Sequence, residues 1–167
     1  ELKLLEKWKF YLETAAQLAG NEKYSRLKTS ISILNDLGGI YADEGSYSQA
    51  LEAYQQMIDL SINNNYPNGV ATANSNLVEV YFALNDPTKA LEVARNAYQM
   101  SRNGGSIYRQ LVATENIAAC YKKLGNYTQA RFFYNEVLNN INIKDYSDIY
   151  LATLKGLAFT ESKLGDH

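Results

Sequence analysis

The sequence predicts an all-α fold of about eight antiparallel helices, stacked in pairs as a solenoid. Three observations carry that expectation. Segments beginning at Leu34, Asn74 and Thr114 superpose without a gap, so that Tyr41, Tyr81 and Tyr121 fall 40 residues apart, as do Ala50, Ala90 and Ala130. Apolar residues recur at helical spacing, as Leu34, Leu37, Ile40 and Tyr41 do. No sustained apolar–polar alternation marks a strand.

The elements follow in order. A helix over 2–19 reads as the second half of a preceding, partial repeat, 1–23. The next helix, 24–44, ends before Gly45, which suits a left-handed position after a helix. Ser46 and Gln49 have capping-box spacing and open a helix over 47–62, with Ala50, Leu51, Tyr54, Met57 and Ile58 on its core face. The run Asn63–Gly69 reads as a loop, followed by a helix over 68–84. Asp86 before Pro87 is an N-cap with Pro at the first helical position, which starts the helix 87–102. Asn103–Ser106 reads as the next loop. Helix 106–124 carries Ile117, Cys120, Tyr121 and Leu124, and stops at Gly125. Asn126 with Gln129 opens 127–142, and a last helix, 147–164, leads to Gly165 at the turn position. The repeats are therefore 31–70, 71–110 and 111–150, with a truncated copy at 151–167. One repeat domain is expected, cut from a longer protein.

Composition narrows the function. With 46% hydrophobic and 20% charged residues, the chain is a folded one. A net charge of -2 gives no field to hold a polyanion, so nucleic acid is not an expected partner. No apolar run is long enough to span a bilayer. Cys120 is the only Cys, so no internal disulfide forms. His167 is the only His, which excludes a Ser-His or Cys-His nucleophile pair and a His-based metal cluster. No glycine-rich phosphate loop occurs. Catalysis, cofactors and metals are not expected, and the compartment, cytoplasm or periplasm, stays open. The 14 Tyr are read as packing residues, each burying a ring and keeping its hydroxyl at the edge of the stack.

The pattern Leu37-Gly38-x-x-Tyr41-x-x-x-Gly45-x-x-x-x-Ala50-Leu51-x-x-Tyr54 resembles the tetratricopeptide repeat. The third copy matches with Ala118, Tyr121, Gly125, Ala130 and Tyr134. The second departs at Val78 and Ala94, and the fourth at Glu161. The resemblance covers 31–165 and implies a right-handed α–α superhelix that binds a protein or peptide. A period of 40 resembles bacterial regulatory members: Rap-type peptide-pheromone receptors, MalT-like activators, and histidine kinases with such sensor regions.

The resemblance also implies that the first helix of each pair lines the concave face. The candidates there are Asn35 and Asp36, then Asn76, Glu79 and Phe82, then Glu115, Asn116, Lys122 and Lys123, then Lys155, Gly156 and Phe159. They sit three or four apart within each helix and so share a face. Asn76 and Asn116 hold the same repeat position, and an amide there offers a donor and an acceptor to a peptide backbone. Charge is graded, with Asp36, Asp43, Glu79 and Glu115 early and Lys122, Lys123, Lys155 and Lys163 late. Asn35 and Gly39 stand where the family's carboxylate clamp needs Lys and Asn, which disfavours that activity. The expected function is ligand binding by the sensor or regulatory region of a bacterial signalling protein. The alternatives are a Rap-type pheromone receptor or a scaffold that self-associates through an open end at Leu154, Leu157, Ala158 and Leu164.

Overall fold

The computed structural model describes residues 23–142 and 144–165. The predicted helix 2–19 lies outside them. Among the described residues there are seven helices and no strand: α1 (Lys23–Asp43), α2 (Tyr47–Asn63), α3 (Pro67–Ala83), α4 (Pro87–Asn103), α5 (Ile107–Lys123), α6 (Tyr127–Asn140) and α7 (Ser147–Gly165). The all-α expectation is met, and the helix starts keep the 40-residue phase at Tyr47, Pro87 and Tyr127 and again at Pro67, Ile107 and Ser147.

One local geometry produces each turn from a first to a second helix. Gly45, Asn85 and Gly125 adopt φ of 75°, 57° and 75°. Around them the N–H groups of Ser46, Asp86 and Asn126 donate back to the carbonyls of Tyr41, Tyr81 and Tyr121 at 2.8, 2.8 and 2.9 Å. The N–H groups of Gly45, Asn85 and Gly125 donate to Ala42, Phe82 and Lys122. This is the Schellman pairing, which satisfies carbonyls that a helix end leaves orphaned. The backbone carbonyls of the three repeat tyrosines thus receive equivalent bonds. Asp86 and Asn126 then cap the next helix, accepting from the N–H of Lys89 at 3.0 Å and of Gln129 at 3.2 Å. Ser46 does not: its side chain makes no capping bond, so the spacing that predicted one marks the helix start without supplying the bond.

The predicted loop at Asn63–Gly69 is shorter than expected, because α2 runs to Asn63 and α3 begins at Pro67. Proline at the first helical position has its φ already set and lacks an N–H that would be orphaned there. The matching link before α5 shortens likewise, with Asn65 and Gly105 taking φ of 53° and 67°. The link after α6 is longer. The helix ends at Asn140, two residues before the expected 142, and Ile141 is extended. There Asn142 donates to Asp145 at 2.7 Å and accepts from the N–H of Lys144. Gly165, expected at a turn, is the last residue of α7.

The chain forms two compact units, one ending at Asn65, the other beginning at Tyr66. In the first, α1 packs on α2. Tyr54, 3% exposed, packs against Gly38, where a Cβ would stand only 2.5 Å from the ring. In the second, each helix from α3 to α7 packs on the next. The core is a row of clusters between neighbours: Val78, Ala90, Ala94, Ile117 and Cys120; then Ala118, Ala130 and Tyr134; then Leu111, Val137 and Ile149. Ala90 and Ala130 are fully buried because a larger side chain would hold the paired helices apart. Such a core extends with each added helix, as expected of stacked repeats.

Candidate inner binding face

Within the second unit, α5 touches both α3 and α7, whereas α4 and α6 do not touch among the described residues. The first helix of each pair therefore forms the inner layer, and the second helices fan out behind it. Along α3 and α5 the residues that stay accessible include Thr72, Ser75, Asn76, Glu79 and Phe82, then Val112, Glu115, Ala119, Lys122 and Lys123. Neighbouring positions face the cores and are buried, among them Asn74, Leu77, Val78, Ile117, Ala118 and Cys120. Of these, Asn76, Glu79, Phe82, Glu115, Lys122 and Lys123 are inner candidates of the sequence, whereas Asn116, also a candidate, is buried.

Asn116 is only 8% exposed, and its amide nitrogen donates to the Ser75 carbonyl at 3.4 Å. Its amide is held by α3 and ties the inner helices together. Thr72 is similarly engaged, accepting from Arg109 Nε at 3.1 Å. Asn76 is half-buried, Glu79 exposed and Phe82 half-buried against the Val78 cluster. Asn35 and Asp36 belong to α1 in the first unit. Asp36 is exposed, and half-buried Asn35 donates to it at 3.4 Å.

Between α5 and α7 the site becomes cationic and aromatic. Lys122 Nζ lies 6.0 Å from the Tyr134 ring centre and 5.9 Å from that of Phe159. Lys163 Nζ lies 5.8 Å from Phe159, and Lys123 Nζ 5.7 Å from Phe82. Each contact draws an ammonium to the negative face of a ring. Phe159 is 48% exposed and meets Tyr127 edge-on. Lys155 is exposed. Beneath them Tyr134, fully buried, drives its ring against Gly156 so closely that a Cβ there would overlap it. Its hydroxyl has no hydrogen-bond partner.

The sequence reading missed this interlock, although a signal exists. Position 116 takes Asn where the residue 22 earlier is Ala94; position 156 takes Gly where the residue 22 earlier is Tyr134. In the second unit the large Tyr134 thus stands with glycine at 156 and the small Ala94 with an amide at 116.

Burial sets the electrostatics. Glu115 is pushed above the ordinary carboxylate value of 4.5, chiefly by desolvation; Lys122 opposes the shift and Glu79 adds to it. Cys120 is pushed up to about 12 by burial and by Glu115 and Glu79, so its thiol stays protonated and inert. Burial likewise raises Tyr134. A raised carboxyl destabilises the fold once it must ionise. That cost is absent below the unfolded value, grows as pH rises through 4.5, and is complete above the raised folded value. Glu115→Gln is therefore expected to melt higher than the wild type at neutral pH, with the gap closing near about pH 4. Thermal denaturation followed by circular dichroism at both pH values checks this.

Among the described residues no group of His, Cys, Asp and Glu could hold a metal ion, and no helix is long and apolar enough to cross a membrane. A Tetratricopeptide repeat family model matches residues 29–103, and a second model of the same description matches 115–140. No curated protein matches the sequence. Among solved structures, BtubC (BKLC) from P. vanneervenii is similar, with 18% identity and a TM-score of 0.72 over 96% of this chain. The matched region spans 66% of that protein's chain, and likeness at this identity shows the fold alone.

Proposed function

From the premise that this chain belongs to the tetratricopeptide-repeat family, whose repeats form protein-binding scaffolds, we propose that the inner face of α3, α5 and α7 receives a peptide segment of a partner, as part of the sensor or regulatory region of a bacterial signalling protein. The carrying observation is the division of labour on the inner helices. One face of each is used by the cores, while Asn76, Glu79, Phe82, Lys122, Lys155 and Phe159 keep accessible surface on the other. Occupancy of that face acts on the contacts between successive inner helices. A segment that binds one spacing of α5 and α7 better than another shifts the population toward it, and an attached output region feels the change.

Panning a phage-displayed random-peptide library on the full chain tests this reading. Selected peptides are expected to lose binding to the combined Asn76→Ala, Glu79→Gln, Phe159→Ala variant, whose fold circular dichroism verifies. Peptides that bind wild type and variant equally would remove the inner face from the account.

A second reading, self-association, is favoured by the open side of α7, where Leu151 and Leu154 are 57% and 38% exposed and Ala158 is exposed. Leu157 instead packs on the Tyr134 cluster. Light scattering that gives a strict monomer at high concentration argues against this reading.

A further inference from the structure

We propose that the α5–α7 part of the inner face selects an acidic peptide segment, its carboxylates taken by Lys122, Lys123, Lys155 and Lys163 and an apolar side chain by Phe159. This rests on the protein-binding reading above and names the chemistry of the partner.

Three independent features converge. The first is local charge. The protein carries -2 overall, yet the accessible positions of α5 and α7 hold these four lysines and Arg109 against the carboxylates of Glu115, Asp148 and Glu161, and Glu161 is paired with Arg131. None of the four forms an ion pair among the described residues; the pairs present there are Lys89–Asp86 and Arg131–Glu161. The second feature is pre-organisation. Lys122 and Lys163 both lie within 6 Å of Phe159, and Lys123 lies as close to Phe82. A ring holds an ammonium in place without neutralising it, so the charges stay available to an incoming carboxylate and part of the ordering cost is already met. The third is Phe159 itself. It is nearly half exposed between two ammonium groups, and so offers an apolar contact at the centre of the positive patch. Acidic side chains alternating with apolar ones satisfy both demands. A basic segment is repelled, and a neutral one leaves four charges unanswered.

The test uses the full chain and labelled peptides of alternating Glu and Leu, Gln and Leu, and Lys and Leu, followed by fluorescence anisotropy. The Glu–Leu peptide is expected to bind, and added salt to weaken it. Lys122→Gln with Lys163→Gln should weaken it by about tenfold, a change of about 1.4 kcal/mol. Lys89→Gln, on α4, should leave it unchanged. Equal or tighter binding of the Gln–Leu or Lys–Leu peptide, or indifference to the lysine substitutions, would overturn the inference. So would equally tight binding of single-stranded oligo-dT, which would make the patch a general polyanion surface. In the panning experiment, selected peptides that depend on the inner face but are not acidic would overturn this inference and leave the protein-binding reading intact. Peptides indifferent to the inner face would defeat the protein-binding reading instead.

Discussion

Tyr134→Ala is expected to cost about 3–5 kcal/mol, the range for losing a fully buried aromatic ring. The ring is 0% exposed and sits among Ala118, Ala130 and Gly156, so the space it leaves is walled by helix backbones that cannot collapse inward. Tyr134→Phe should act in the opposite direction. Its hydroxyl has no hydrogen-bond partner, and removing a buried unpaired group gains about 1 kcal/mol. The same contact fixes the behaviour of Gly156. In the wild type, Gly156→Ala gains about 1 kcal/mol of helix propensity but drives a methyl into the tyrosine ring, and overpacking of about 1–3 kcal/mol outweighs the gain. With Tyr134 already changed to Ala, the overlap is gone and Gly156→Ala should stabilise. A double-mutant cycle by urea denaturation reads that change of sign. A destabilising effect of similar size in both backgrounds would dissolve the proposed interlock.

Ala94→Tyr should be the most damaging substitution in α4, costing about 3 kcal/mol or more through overpacking. Ala94 occupies the position held by Tyr54 and Tyr134 in the flanking repeats and is fully buried. The repeats with tyrosine supply space for it: Gly38 lies under Tyr54, and Ala118 and Gly156 lie around Tyr134. The middle repeat supplies none, because Val78 contacts Ala94 in the core and Asn116 holds the place of Gly156. Val78→Ala with Asn116→Gly should recover most of the loss in an Ala94→Tyr background. The residual deficit is about 1 kcal/mol, from the lost bond to Ser75 and one added helical glycine. Thermal melts of the single and triple variants check it.

Helices and turns were legible because their causes are local. Periodic apolar residues make a helix; Gly45, Asn85 and Gly125 can enter the left-handed region; Pro87 can only begin a helix. The accessible face of each first helix follows from phase, since any residue the core does not use must lie elsewhere, whereas the assignment of those helices to a concave face is what the family resemblance implies. Asn116 shows where that reasoning stops. Its position in the sequence marks it as accessible, but its burial depends on how closely α5 approaches α3, where its amide reaches the Ser75 carbonyl. The rings beneath Lys122 and Lys163 come from α6 and α7, so no reading of α5 alone could place them.

At each corner from inner to outer helix, a single residue both closes one helix and begins the next: Ser46, Asp86 or Asn126. No spare backbone remains there, and one inserted amino acid would rotate everything downstream out of phase. The segment 141–146 is different, since Ile141 is extended and α7 still starts in register behind it. Grafted sequence or a reporter tag would be accommodated at that joint and rejected at the three corners.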